Sequence, residues 1–278
     1  MKIGIFTNTQ KDKDLSVTKR LAGQLAANGF EVLYYGESAE PLGEADAFFS
    51  DQNPGIMLTL GGDGTILRIA SFCAEREIPI LGLNLGTIGF LTCLESIDFD
   101  GLSGLIKNRS YKTEPCVMLS VQFRGEEALA LNEAVIERHS CKLMSVDVRV
   151  NGEFVDNFYC DGYIVSTPTG STAYSLSAGG PIISPCSDVL ALTPVNPHTL
   201  HSRPIVVCGN DVITVTPFGE TEKCNIIVDG NIVGSIAKGE NVQIRKYRNP
   251  VLFIKAGGES FFSRLLNKLN IWSVTEKK

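Results

Sequence analysis

The stretch Ile56-Met57-Leu58-Thr59-Leu60-Gly61-Gly62-Asp63-Gly64-Thr65-Ile66-Leu67-Arg68-Ile69-Ala70 decides how this chain is read: an apolar run, a glycine-rich turn, then the start of an apolar-periodic segment. The run reads as a buried strand and the segment from Thr65 to Arg76 as a helix. The glycines at 61, 62 and 64 let the backbone enter φ > 0 conformations and bring its N–H groups against a ligand. The helix start adds unpaired N–H groups and the positive end of a dipole, so an oxyanion is the natural guest. Asp63 stands inside this cradle. A carboxylate there repels a phosphate unless it holds a metal, takes a proton from an attacking hydroxyl, or both. The plain alternative is an ordinary Gly/Asp turn.

Working outward, Lys2–Phe6 and Glu31–Tyr35 read as strands around a helix over Leu15–Ala27, which Asn28-Gly29 ends. Downstream, Ile80–Leu83 reads as a fourth strand. Strand and helix alternate, which predicts an α/β domain: a parallel sheet with helices on both faces and ligands gathered at the strand C-terminal ends. The Gly61–Thr65 turn lies at such an end. So does a second Gly-rich loop, Asn84-Leu85-Gly86-Thr87-Ile88-Gly89-Phe90-Leu91, so the two loops are expected to share one crevice. Neither fits G-x-G-x-x-G or G-x-x-x-x-G-K-[ST], which removes the usual sequence support for dinucleotide hydride transfer or a P-loop.

Near Lys112–Pro115 the pattern changes to strand after strand: Val117–Phe123, Leu129–His139, Met144–Val150 and Glu153–Tyr159, with a hairpin signal at Asn151-Gly152. Further strands are read at Gly162–Ser166, Val212–Pro217, Asn225–Val228 and Asn241–Lys246. The tail, a strand over Val251–Ala256 and an amphipathic helix over Phe261–Leu269, is expected to return to the first domain. The expected division is therefore 1–112 with 252–278 as an α/β nucleotide-phosphate domain, and 113–251 as a β-rich C-terminal domain.

Composition narrows the function classes. A chain of 278 residues, 44% hydrophobic and 20% charged, is ordinary for a globular protein and buries a substantial core. A net charge of −6 and the lack of any basic run argue against nucleic acid as the partner. The eight cysteines are scattered singly with no CxxC pair, so reduced, mostly buried thiols are expected. No run reaches the ~18 apolar residues of a membrane span, and the N-terminus lacks a signal-type apolar region. The expected location is cytoplasmic, with no membrane partner.

A second constellation lies between Asp161 and Pro181, dense in Ser, Thr and Gly. Ser171 or Thr172 could cap a short helix through Leu176, and Gly170 allows close backbone approach to a ligand. Hydroxyls, an open helix start and Tyr174 suit a nucleoside; a Ser/Thr loop satisfying its own backbone is the competing reading. Asn132-Glu133 interrupts an apolar strand, and its carboxylate could face solvent or accept from ribose hydroxyls. Strand alternation leaves both open.

Together these residues carry a resemblance. The chain resembles the NAD kinases, enzymes that make NADP with ATP or polyphosphate, over nearly its whole length. The matching motifs are Gly61-Gly62-Asp63-Gly64, Asn84-x-Gly86-x-x-Gly89-Phe90-Leu91, Leu131-Asn132-Glu133, Thr167-Pro168-Thr169-Gly170-Ser171-Thr172-Ala173-Tyr174, Asn196-Pro197-His198-Thr199-Leu200-x-x-Arg203-Pro204 and Asp229-Gly230. The GGDG string is shared with diacylglycerol kinases, sphingosine kinases and phosphofructokinases; the Thr167–Tyr174 block is far more specific.

The resemblance implies that Asp63 is the base on the adenosine-ribose 2′-hydroxyl of NAD, with Gly61, Gly62 and Gly64 shaping the phosphate crevice and Arg68 reaching a phosphate. It implies Asn132 and Glu133 on the adenosine part and Asp161 on the nicotinamide-ribose side. Thr169, Thr172, Ala173, Tyr174, Ser175, Leu176 and Ser177 would line the dinucleotide pocket. Asn231 stands where the family commonly has Gln. A divalent metal, Mg²⁺ or Mn²⁺, would arrive with ATP, held mostly by phosphate oxygens. His198-x-x-His201 is read as structural or as a subunit contact rather than half a metal site. A homo-oligomer, dimer or tetramer, is also implied. The competing functions are a lipid or small-alcohol kinase with the same turn, and a non-catalytic NAD(P) sensor.

Overall fold

The computed structural model describes residues 1–50, 52–86, 89–92, 99–255 and 260–269. Thr87, Ile88, Cys93 and Ala256, each part of a reading above, lie outside the described residues. The chain divides into two units, Met1–Glu114 with Leu252–Lys278, and Pro115–Val251.

The first unit is built from β1 (Lys2–Thr7), α1 (Ser16–Ala27), β2 (Glu31–Tyr35), β3 (Ile56–Gly61), α2 (Asp63–Glu75), β4 (Ile80–Asn84), α3 (Phe99–Lys107) and β5 (Lys112–Cys116). α3 has no counterpart in the sequence reading. The tail strand, numbered β18 (Val251–Lys255) after the twelve strands of the second unit, joins the same sheet, whose order is β2-β1-β3-β4-β18-β5. Its first five strands pair in parallel. Pro115, which cannot donate to a ladder, sits on the edge strand β5, where that loss costs little.

β3 is buried at every residue because both faces are covered. On one face Ile3, Ile5, Ile56, Leu58 and Leu60 pack with Leu21 and Leu25 of α1 and Leu102 and Ile106 of α3. On the other side of the unit Phe48 stands edge-on to Tyr35 at 5.1 Å and Phe72 at 5.0 Å. Each fully buried side chain, such as Ile3, Leu58 or Tyr35, contributes roughly 1.5–3 kcal/mol.

The second unit is a sandwich of two six-stranded antiparallel sheets. One runs β10 (Glu153–Cys160), β9 (Met144–Val150), β14 (Ile213–Phe218), β17 (Val242–Lys246), β6 (Leu119–Phe123), β7 (Glu126–Ala130). The other runs β13 (Ile205–Cys208), β12 (Val189–Val195), β11 (Gly162–Ser166), β8 (Glu133–Arg138), β15 (Lys223–Val228), β16 (Asn231–Ala237). Val121, Val148, Val215 and Ile244 of the first meet Ile136, Val165, Leu192 and Ile226 of the second in one core. A single helical turn, α4 (Tyr174–Ser177), follows β11.

Two sequence readings are corrected here. Leu129–His139 is not one strand: β7 ends at Ala130 in the first sheet and β8 begins at Glu133 in the second. The chain changes sheet at Leu131-Asn132, where hydrogen bonds from distant residues replace the ladder. β12, β13 and β16 have no counterpart in the sequence reading: β12 is buried from its second residue on, β13 is largely exposed and β16 is mixed, so none shows a period of two.

The helix α5 (Phe261–Leu269) packs on the first unit's Phe90, with Phe261 at 6.4 Å ring to ring and the Lys268 ammonium 4.6 Å from the Phe90 centroid. Among the described residues no helix is long and apolar enough to cross a membrane. Among the described cysteines, Cys73, Cys116, Cys160 and Cys224 are buried and Cys141, Cys186 and Cys208 are exposed.

Candidate functional site

In the first unit β1 leads to β2 on one side, and the chain then crosses to β3 on the other. The strand order therefore reverses between β1 and β3, and in open α/β sheets ligands bind at that reversal. The loop after β3 is the glycine turn. α2 begins at Asp63, two residues earlier than its sequence pattern indicates, with Gly62 as the flanking residue. Thr65 explains the early start: its N–H donates to the Gly62 carbonyl at 2.9 Å, and the Gly62 N–H donates to Thr65 Oγ1 at 3.3 Å.

The reason for the glycines also changes. None of Gly61, Gly62 or Gly64 has a positive φ. A Cβ on Gly61 would strike Thr65, one on Gly62 would stand 3.1 Å from Lys11 Nζ, and one on Gly64 would meet nothing within 4 Å. Space, not conformational freedom, excludes a larger residue at Gly61, while at Gly62 the neighbour is the movable end of a lysine. Gly64 leaves open room beside the helix start.

Asp63 is held by the second Gly-rich loop, as the expected shared crevice requires. The Phe90 N–H donates to its Oδ2 at 2.7 Å and the Leu91 N–H to its Oδ1 at 3.1 Å. Gly89 is the point of closest approach, since a Cβ there would coincide with the carboxylate. The loop is cinched in turn: the Gly89 N–H donates to Thr92 Oγ1 at 3.1 Å, and Arg264 of α5 donates to the Thr92 carbonyl at 3.1 Å.

Sequence reasoning passed over the loop after β1. The Asn8 side chain accepts from the Gln10 N–H at 3.0 Å, and the buried Asp12 accepts from the Val17 and Thr18 N–H groups at 3.2 and 2.8 Å, capping α1. Lys11 between them extends to the glycine turns, with Nζ also 3.7 Å from where a Gly86 Cβ would lie. Its ammonium makes no ion pair among the described residues. The available signal was position, because Asn8–Asp14 follows the β1 C-terminus at the sheet reversal. Arg68, in contrast, is paired with Glu37 at 3.0 Å and lies 5.3 Å from the Phe6 ring centroid. That exposed pair is worth at most about 1 kcal/mol and would have to open for Arg68 to reach a phosphate.

The second unit gathers another set. Glu133, only 7% exposed, stands opposite Ser166 in the β8–β11 ladder. Glu133 Oε2 and Ser166 Oγ are both buried without a hydrogen-bond partner among the described residues. Burial first, and then the nearby Asp229 charge, raise the Glu133 carboxyl from its usual range to about 7, while the Tyr174 backbone N–H partly offsets them. Thr167 locks the turn before Glu133: its N–H donates to the Asn132 carbonyl at 2.9 Å and its hydroxyl to the Leu131 carbonyl at 2.6 Å.

The Ser/Thr stretch is more structural than its composition predicts. Ala173 flanks α4 and no side chain caps it, so neither Ser171 nor Thr172 plays that part. The Ser171 hydroxyl donates to the Pro168 carbonyl and accepts from the Ile183 N–H, and that of Thr172 donates to the Thr169 carbonyl. Ser175 is buried against Thr193 at 3.0 Å. Among this block Tyr174 is the large exposed side chain, at 41%. Leu176 is half-buried, Thr169 buried and Ser177 exposed.

Asp161 is engaged by Arg138 at 3.1 Å and by Asn196 at 2.9 Å, and Asn231 donates to the Asp229 carbonyl at 3.3 Å. Among the described residues no three His, Cys, Asp or Glu side chains are grouped to hold a metal.

The family profile of the ATP-NAD kinase N-terminal domain matches residues 3–110, and that of the ATP-NAD kinase C-terminal domain matches residues 131–256. The chain belongs to the NAD kinase family. It is 39% identical over 281 residues to an NAD kinase of Caldanaerobacter subterraneus subsp. tengcongensis, covering 96% of this chain and 98% of that one. To the NAD kinase of Agathobacter rectalis it is 36% identical over 279 residues, covering 97% and 98%. An Archaeoglobus fulgidus NAD kinase solved in complex with ATP superposes with a TM-score of 0.75 at 28% identity, covering 97% of this chain and 99% of the other. Yeast NADH kinase, solved with NADH, shares the fold with a TM-score of 0.87 at 23% identity, covering 100% and 90%.

Proposed function

We propose that this NAD kinase family member transfers the terminal phosphoryl group of ATP to the adenosine-ribose 2′-hydroxyl of NAD, with Asp63 as the base. The observation that carries the reading is Asp63 itself: a carboxylate at the first position of α2, aligned by two backbone N–H groups, beside open space at Gly64. Each carboxylate oxygen accepts one of those bonds and keeps a second lone pair for a substrate hydroxyl. The N–H groups at the α2 start offer the departing phosphoryl group positive potential. An assay with ATP, Mg²⁺ and NAD tests it directly, and absence of NADP under those conditions would refute it.

A divalent ion supplies charge neutralisation on the triphosphate. With no carboxylate cluster among the described residues, phosphate oxygens would be its main ligands, and Asp63 is the side chain placed to touch it. This reading includes polyphosphate as a second donor only if the crevice needs no adenine contact, which the same assay with polyphosphate decides.

Lys11 belongs with the donor in this reading. A lysine ammonium acts on phosphate as a point charge, and here it stands by both glycine loops. Lys11→Ala is expected to lower kcat/KM for ATP by about 10- to 100-fold while leaving NAD affinity within twofold. Unchanged ATP kinetics would remove Lys11 from the site.

Asn132 and Glu133 hold the adenosine part, with the orphaned Glu133 Oε2 as hydroxyl acceptor. Because that acceptor is needed ionised, NAD affinity should strengthen as pH rises through about 7 and weaken below it, by up to about tenfold per unit. Without ligand the sign is opposite. The folded-state value lies above the ordinary 4.5, so the native state binds more protons than the unfolded chain, and stability falls as pH rises from there through about 7. Calorimetric titration with NAD from pH 6 to 8, a window of about one unit either side, checks the first; Glu133→Gln should flatten the slope.

A further inference from the structure

The change of sheet at Leu131-Asn132 leaves backbone N–H groups with no strand partner, and their acceptor lies 96 to 98 residues away. The Leu131 N–H donates to Asp229 Oδ2 at 2.8 Å, and the Asn132 and Glu133 N–H groups to Oδ1 at 2.8 and 3.1 Å. In return the Asp229 N–H donates to the Glu133 carbonyl at 3.1 Å. With Thr167 holding the carbonyls of Leu131 and Asn132 from the other side, the segment is clamped at every polar backbone atom from Leu131 N to Asn132 O, together with both Glu133 backbone groups.

The hairpin itself does not require this carboxylate. Asp229 and Gly230 form the two-residue turn between β15 and β16, with φ of 45° and 82°. Both values are those of a type I′ turn, in which Asn serves as well as Asp. What Asp adds over Asn is a second acceptor oxygen and a negative charge, and both are directed at the segment carrying Asn132 and Glu133.

We propose that Asp229 is a positioning residue for dinucleotide binding, holding the Leu131–Glu133 segment in the one shape that presents Asn132 and Glu133 to the ligand. This rests on the reading that Asn132 and Glu133 grip NAD. The charge has a separate consequence. Asp229 on the β15–β16 turn is the charged group acting on Glu133; from α4 the Tyr174 backbone N–H acts in the opposite sense, and Thr167 is uncharged. The phenol of Tyr174 in turn feels Glu137, Asp161 and Glu133. Burial is the larger cause that holds the Glu133 carboxyl up and the Asp229 charge adds to it, so Asp229 contributes to an onset of NAD binding near neutrality rather than in the ordinary carboxylate range.

The test compares Asp229→Asn with Asp229→Ala. Asp229→Asn keeps a favoured turn residue and should fold, while its amide can satisfy fewer of the N–H donors. KM for NAD should rise about 10- to 100-fold, with KM for ATP within twofold. The acid limb of NAD affinity should move part of the way to lower pH, because the neighbouring charge is gone while the burial of Glu133 remains. Asp229→Ala should lose more affinity than Asp229→Asn. Wild-type NAD affinity in Asp229→Asn overturns the proposal. So does a lost affinity whose acid limb does not move from its wild-type position, since a merely structural defect would leave it there. Unchanged NAD affinity in both Asn132→Ala and Glu133→Gln would instead sink the underlying reading, whatever Asp229→Asn does.

Discussion

Asp63→Asn is expected to lower NADP formation by about 10³-fold while NAD still binds with near-normal affinity. The amide is almost isosteric with the carboxylate but cannot take a proton from a hydroxyl. It also cannot match both of its partners: its oxygen can accept from Phe90 or from Leu91, and its NH₂ then faces the other backbone donor. The expected cost is about 1–3 kcal/mol of stability. A modest fall in melting temperature should therefore accompany the loss of turnover, without loss of fold. A coupled NADP assay with calorimetric NAD titration separates these effects. A variant that turns over at near wild-type rate would show that Asp63 is a structural tie between two loops and not the base.

The second large effect is expected at Gly170. A Cβ there would coincide with the carbonyl of Asn132 and stand 2.7 Å from its Cα, and none of these atoms is the end of a flexible side chain. Gly170 does not have a positive φ, so the penalty is purely one of space. In Gly170→Ala the Thr167–Ser171 turn must move away from the Leu131–Glu133 segment, breaking the Thr167 bonds to Leu131 and Asn132. Overpacking against backbone costs about 2–4 kcal/mol, a drop of roughly 5–15 °C in melting temperature. NAD affinity should fall at least about tenfold. Gly23→Ala is the control: its Cβ meets nothing within 4 Å on α1, and Ala is the better helix former. Equal melting temperatures for Gly170→Ala and wild type would contradict the close approach.

The reasons behind residues were less legible than their places. Gly61 and Gly62 read in sequence as backbone freedom, yet neither has a positive φ: Thr65 fills the volume a Gly61 side chain would take, and the Lys11 ammonium stands beside Gly62. Ser171 reads as a candidate helix cap and Ser175 as a pocket-lining residue, yet their hydroxyls are bonded to Pro168 and Ile183 and to Thr193. A hydroxyl list looks the same whether it faces a sugar or its own backbone, because both offer the same donors and acceptors. The long strand read over Leu129–His139 failed for a related reason: apolar continuity carries no mark of a change of sheet when both halves are buried.

What the sequence determined by itself was local and periodic: the alternation of buried strands and helices in the first unit, the turn at Gly61–Thr65, the hairpin at Asn151-Gly152, and the motifs that identify the family. These depend on spacing along the chain, which covalent geometry translates into shape with little outside help. The tertiary structure alone decided which distant groups meet: Asp63 with Phe90 and Leu91, Lys11 with the glycine turns, and Asp229 with Leu131–Glu133. Such contacts are set by sheet order and register, and those follow from burying all the strands at once rather than from any one stretch of residues.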